Sequence, residues 1–201
     1  MTPHSDLPWS RINDYLLEVG SARDANEFGH RALSCLNDLV AYDGNGLFAV
    51  NDGTGRMRVF VSSVASKWIE LYHNYYWKIQ PPLPSSNTKI IDYHELRHTE
   101  YATDFISPQG IRFTAAIYNL ESADNNPGGL IINRSKTSPG FSEQERMILE
   151  VIQPHLSNLY AIYALLATSD IMRLPDAATI ASDFKCLTKR EAEVAALICH
   201  K

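Results

Sequence analysis

The hydrophobic period of this chain switches repeatedly between the helical and the strand value, and that alternation limits the folds open to it. Ile12, Tyr15, Leu16 and Val19 recur at helical spacing and stop at Gly20. Phe28, Ala32, Leu33, Cys35, Leu36 and Leu39 repeat the pattern behind Asp24 and Glu27, a pair spaced as a capping box. The period then drops to two: residues 44–50, the turn residues 51–55 and residues 57–61 read as strand, hairpin turn and strand. A helix is predicted over residues 64–79, with Ala65, Trp68, Tyr72, Tyr75, Tyr76 and Ile79 on one broad side. Gln80-Pro81-Pro82-Leu83-Pro84 ends it, because proline lacks an amide hydrogen and clashes with the preceding turn. A shorter helix is predicted over residues 94–106, closed by Ser107-Pro108-Gln109-Gly110, and strands are predicted over residues 112–120 and 129–134.

Ser142 with Glu145 forms another capping box and opens the longest helix. Ile148, Val151, Ile152, Leu156, Leu159, Ile162, Tyr163 and Leu166 keep a seven-residue repeat along it, and Pro154 is expected to kink it. A stripe of such large side chains can serve a core on one side and a second subunit on the other, so a homodimer is expected. The order of helix pair, strand pair, helix pair, strand pair and long helix predicts an α+β fold. Its expected form is an α/β/α sandwich, with a mostly antiparallel central sheet and helices on both faces.

Charge is unevenly spread. Net charge is −5, yet residues 184–201 hold Lys185, Lys189, Arg190 and Lys201 against Glu191 and Glu193, a net of +2. The other residues therefore carry 14 basic against 21 acidic side chains, a net of −7. An acidic body repels phosphate backbone, so any DNA contact belongs to the far end of the chain. The first residues lack the apolar run of a signal peptide, no segment is long and apolar enough to span a bilayer, and Cys35, Cys186 and Cys199 are too scattered for a disulfide framework. A cytoplasmic protein is expected.

At the C-terminal end, Thr188 and Glu191 repeat the capping-box spacing, with Val194, Ala195, Leu197 and Ile198 as a narrow apolar stripe behind them. The run Leu187-Thr188-x-Arg190-Glu191-x-Glu193-Val194-x-x-Leu197 resembles the first helix of the LuxR-type helix-turn-helix. DNA contact is expected only through the missing part of that module, since no recognition helix follows in these residues. Residues 171–186, with Pro175 and several small side chains, read as the linker to it, and residues 1–170 as the signal-binding domain. Glu100-Tyr-Ala-Thr-Asp-Phe-Ile-Ser-Pro-Gln-Gly-Ile111, Gly129-Leu-Ile-Ile-Asn-Arg134 and Phe141-Ser142-x-x-Glu145 with Pro154-His155-Leu156 resemble the sequence marks of GAF-like sensor domains in LuxR-type regulators.

That resemblance implies a transcriptional regulator with a pocket for a small-molecule signal, no cofactor and no catalytic residue. Trp68 and Tyr72, four apart on one helix side, offer an indole N–H and a phenol O–H beside flat apolar faces. In acyl-homoserine-lactone receptors such a pair binds the lactone and amide oxygens, and an Asp-Pro soon after accepts the amide N–H. This chain has Gln80-Pro81 there, without the carboxylate. An acyl-homoserine-lactone receptor is thus the alternative within the class. Phe48, Tyr76, Phe105, Phe113 and Tyr118 are further candidate lining residues.

Two other classes compete. His94-Glu95-Leu96-Arg97-His98 has the H-E-x-x-H form of zinc peptidases, in which one helix face presents both imidazoles to a metal. Glu121 is the conceivable third ligand, but the metzincin extension is absent, so a solvated helix face is expected and no metal. The remaining alternative is a ligand-free dimerisation module whose aromatics only fill the core.

Overall fold

The computed structural model describes residues 7–51, 57–81, 86–121 and 127–168. The linker, the module start with Leu187, Thr188, Arg190, Glu191 and Val194, and Cys186 and Cys199 lie outside these residues, as does the side chain of Leu166. By contact density the chain divides into Met1–Ala164 and Leu165–Lys201.

Local signals set the helices. In α1 (Trp9–Gly20) the buried residues Ile12, Tyr15 and Val19 are spaced at three and four. In α2 (Ala25–Leu36) the Asp24 carboxylate accepts the Asn26 and Glu27 amides at 2.9 and 2.8 Å, satisfying two of the orphan donors of the first turn. Glu27 turns back to the Arg23 amide at 2.9 Å and pairs with Arg31 one turn on. In α4 (Glu143–Thr168) the capping box is reciprocal: the Ser142 hydroxyl accepts the Glu145 amide at 3.2 Å, and the Glu145 carboxylate accepts the Ser142 amide at 2.7 Å. Pro154 lies within α4, which continues past it.

The strands are β1 (Asn45–Asn51), β2 (Met57–Ser62), β3 (Thr88–Asp92), β4 (Ile111–Leu120) and β5 (Gly128–Ser135). They form one sheet in the order β2-β1-β5-β4-β3, with every neighbouring pair antiparallel. Alternation along each strand sends neighbouring side chains to opposite faces. Phe48 and Val50 of β1, Ala115 and Ile117 of β4, and Leu130 and Ile132 of β5 join the core formed with α1, α2 and α4. Leu47, Ala49, Thr114, Ile131 and Asn133 face the other way. That second face is covered by α3 (Ser66–Asn74), a 3-10 turn at Tyr76–Lys78 and a π-helical turn at Tyr101–Ile106. The α+β sandwich predicted from the sequence is therefore the fold observed.

Aromatic packing fills the first face. The Phe28 and Phe48 rings meet edge-on at 5.5 Å, and Tyr160 of α4 lies 5.5 Å from Phe48. A Cβ placed on Gly29 would sit 2.5 Å from a Phe48 ring carbon, so only glycine lets α2 approach the sheet this closely. Tyr15 donates to the Ala32 carbonyl at 3.1 Å, tying α1 to α2, and Tyr163 donates to the Gly20 carbonyl at 2.9 Å, tying α4 to α1. Arg134 of β5 is buried. Its guanidinium reaches the Ala41 and Gly140 carbonyls, pairs with Glu145 at 2.5 Å and lies 4.1 Å over the Phe141 ring. One side chain thus joins the sheet, the loop before β1 and the start of α4.

Three sequence expectations are corrected. The helix predicted over residues 64–79 is shorter: α3 ends at Asn74 because Tyr75, at φ −144° and ψ −54°, leaves helical geometry and a 3-10 turn follows. The helix predicted over residues 94–106 is instead a run of i-to-i−3 turns, Glu95 to Asp92 and Leu96 to Tyr93, leading to the π-helical turn. Strand β3 was not anticipated at all. It is five residues long and lies beyond the prolines.

Candidate functional site

Between the second sheet face and its helical cover lies a cavity of about 260 Å³, somewhat below the usual span for small-molecule sites. Its roof is aromatic because two elements project one face downward together. Trp68 and Tyr72 lie one turn apart on α3, and Tyr101, Phe105 and Ile106 come from the π-helical turn, whose wider winding brings positions i, i+4 and i+5 to one side. Gly110 closes this segment at φ +75°, a left-handed conformation that glycine adopts without strain. Phe105 is the hub: Trp68 meets it edge-on at 6.1 Å, Tyr72 lies at 6.0 Å and Tyr76 stacks on it at 4.6 Å.

The floor carries the polar groups. The Thr114 hydroxyl donates to the Asn133 side-chain oxygen at 2.5 Å across β4 and β5, and both residues are buried. Burial pushes the Tyr93 hydroxyl up to about 12, with the Thr114 and Tyr101 side chains opposing. Burial also raises Tyr101 and Tyr118 above the ordinary tyrosine value, so all three rings are neutral at physiological pH. At the end of the cavity the Tyr72 hydroxyl donates to the Gln80 carbonyl oxygen at 2.8 Å. Burial raises Tyr72 too, against the opposing pull of that bond. Lys89 and Ile91 of β3 and Tyr93 just beyond it form one wall.

Of the eight residues singled out from the sequence, Trp68, Tyr72, Gln80, Phe105 and Tyr118 line the cavity. Three do not. Phe48 is fully buried on the opposite face, where strand alternation turns it toward Phe28 while Leu47 and Ala49 take the cavity side. Tyr76 stands behind Phe105 and buttresses the roof. Phe113 packs under Gly140, with the Arg112 guanidinium 4.7 Å over its ring. Lys89, Tyr93, Tyr101, Thr114 and Asn133 were missed. Tyr101 and Asn133 fall within the stretches that resemble sensor-domain marks, but Lys89 sits on β3, which no sequence pattern predicts. His73, also in the wall, keeps a buried Nε2 without a hydrogen-bond partner.

The zinc-peptidase pattern loses its geometric basis. His94, Glu95 and His98 sit exposed on the turns after β3, where spacing of four no longer implies a shared helix face. Glu121 is exposed after β4, and its amide is held by the Ser157 hydroxyl of α4 at 2.9 Å. Among the described residues no three His, Cys, Asp or Glu side chains gather as a metal site, and no helix is long and apolar enough to cross a membrane.

No protein-family model matches the chain, and no curated protein does. Solved structures do. SdiA of Escherichia coli superimposes with a TM-score of 0.60 over 93% of this chain and 87% of its own, at 14% identity. CepR2 from Burkholderia cenocepacia, an N-acylhomoserine-lactone-dependent LuxR family transcription factor, gives 0.57 over 78% of this chain and 94% of its own, also at 14%. A phycocyanobilin-bound GAF domain from a cyanobacterial phytochrome gives 0.59 over 80% and 97%, again at 14%. Identity this low establishes a shared GAF-like fold and nothing finer.

Proposed function

We propose that residues 1–170 are the signal-binding domain of a cytoplasmic LuxR-type transcriptional regulator, without catalytic activity or cofactor. The observation that carries this reading is the aromatic cavity. One face of the sheet is packed solid, whereas the other holds open space roofed by Trp68, Tyr72, Tyr101 and Phe105. Interiors are normally close-packed, so a space of this size walled by aromatics and a few polar groups is what a binding site requires. A ligand-free dimerisation module has no use for it. The shared fold with SdiA, CepR2 and a bilin-binding GAF domain supports the same reading.

In this proposal a small ligand fills the cavity and biases the conformations available to the chain, and control of DNA passes to the helix-turn-helix that begins at Leu187. The homodimer belongs to the proposal as well. What supports it is the apolar repeat of α4, on which Ile162 is left 52% exposed. An acyl-homoserine lactone is disfavoured by Gln80, whose carbonyl is already engaged by Tyr72 where the lactone receptors offer a carboxylate.

The test is thermal unfolding with a panel of small molecules, acyl-homoserine lactones included. A specific ligand at a hundred times its Kd adds about 2.7 kcal/mol to stability. Trp68→Ala is expected to abolish that response while leaving the fold. A panel that shifts nothing, or shifts wild type and variant alike, overturns the proposal.

A further inference from the structure

We infer that the cavity takes a small carboxylate, or an equally compact monoanion, on an apolar body, with Lys89 as the counter-ion; this rests on the binding-site reading above. No aspartate or glutamate lines the cavity among the described residues, and its one permanently charged wall residue is Lys89.

Lys89 faces inward by strand alternation. It pairs in register with Ala116 of β4, while Ile91 and Tyr93 flank the same space and Ile90 packs toward the opposite core. Among the described residues no carboxylate lies within ion-pair distance of its ammonium group. The nearby acid of that strand, Asp92, is committed to Arg112 at 3.2 Å. A wall with one cation and no carboxylate among the described residues favours an anion supplied from outside.

The neutral polar groups point the same way. Gln80 has its carbonyl engaged by the Tyr72 hydroxyl, so its NH2 is the part left to offer. The Trp68 indole can only donate. His73 keeps a buried Nε2 without a partner in the wall, an exception that native structures rarely leave unexplained. The Thr114 hydroxyl is committed to the Asn133 side-chain oxygen. The wall therefore offers one cation and several donors, with the Gln109 and Asn119 side-chain oxygens as acceptors and no carboxylate to receive a ligand's N–H. Its complement is an acceptor-rich head carrying one negative charge, followed by an apolar chain or ring against Phe105 and Ile131.

Matched probes test this on the full chain. Octanoate and 4-phenylbutanoate are titrated by calorimetry against octanamide and 4-phenylbutanamide, which differ only in the head, with N-octanoyl-homoserine lactone as a neutral reference. A charge-assisted contact is worth about ten-fold in affinity or more, so at least one acid is expected to bind at least about ten-fold tighter than its amide. Lys89→Met is expected to erase that preference, and Lys89→Arg to preserve it. Amides equal to or tighter than the acids, a lactone that binds where no acid does, or an acid preference that survives Lys89→Met overturns the inference and leaves the cavity a binding site. Failure of every probe in wild type overturns both.

Discussion

The two faces of the single sheet are built to different ends. Toward α1, α2 and α4 the side chains close on one another: Phe28, Phe48, Leu130, Ile132, Ile152 and Leu156 are all but inaccessible, and the polar groups admitted there, such as Arg134, are fully engaged. Toward α3 and the π-helical turn the same strands present smaller or polar residues, Ala49, Thr114, Gly129 and Asn133, and the aromatics opposite span a gap. No side chain of α3 is fully buried. Stability resides on the first face and recognition on the second, since a cover that packed as tightly would leave nothing to bind.

Truncations on the two faces separate these roles. Phe48→Ala removes a ring wedged between Phe28, Phe60 and Tyr160 and is expected to cost about 4 kcal/mol in urea unfolding, with ligand response retained by whatever remains folded. Arg134→Met comes next. It strands the Glu145 carboxylate and two carbonyls, for about 3 kcal/mol, which in a chain of this size lowers Tm by roughly 6–12 °C. Trp68→Ala, on the cavity side, is expected to cost less than about 2 kcal/mol, because its ring already borders open space, yet to lose ligand response entirely. A Trp68→Ala cost matching that of Phe48→Ala would erase the distinction between the faces.

The packed face was also the more legible one in the sequence. Its elements announce themselves locally: Asp24 with Glu27 and Ser142 with Glu145 are caps that the structure uses, and the stripes of α1, α2 and α4 are long enough to fix a period. The cavity face is assembled from short pieces. β3 is five residues long, α3 nine, and the π-helical turn has a winding that no 3.6-residue pattern reveals. Trp68 and Tyr72 could be placed because they share one regular helix. Phe48 was misplaced because alternation along β1 says which residues share a face but not which face is the cavity, and that is decided by partners distant in the chain. Lys89 could not be found without β3.

The smallest expected effect lies at the edge of the sheet, where Arg112 of β4 pairs with Asp92 of β3 at 3.2 Å. It is the surface counterpart of the buried Arg134–Glu145 pair. Hydrogen bonding from Arg112 holds the Asp92 carboxyl below its ordinary 3.8, with the His94 amide contributing and slight burial opposing. A carboxyl whose folded pKa is depressed stabilises the fold above its unfolded pKa, and that contribution is lost as pH falls through the folded value. Arg112 and Asp92 are 39% and 27% exposed as side chains, so water and salt screen them. Arg112→Gln is therefore expected to cost less than about 1 kcal/mol at pH 7 and low salt. The difference from wild type should shrink at 1 M salt and vanish once Asp92 is protonated in both states. Arg134→Met, measured alongside, should stay far less stable than wild type at either salt concentration, because its partners are screened by protein. A salt response shared by both variants would mean that the Arg134 site is open to water and that the packed face is less closed than its buried rings imply.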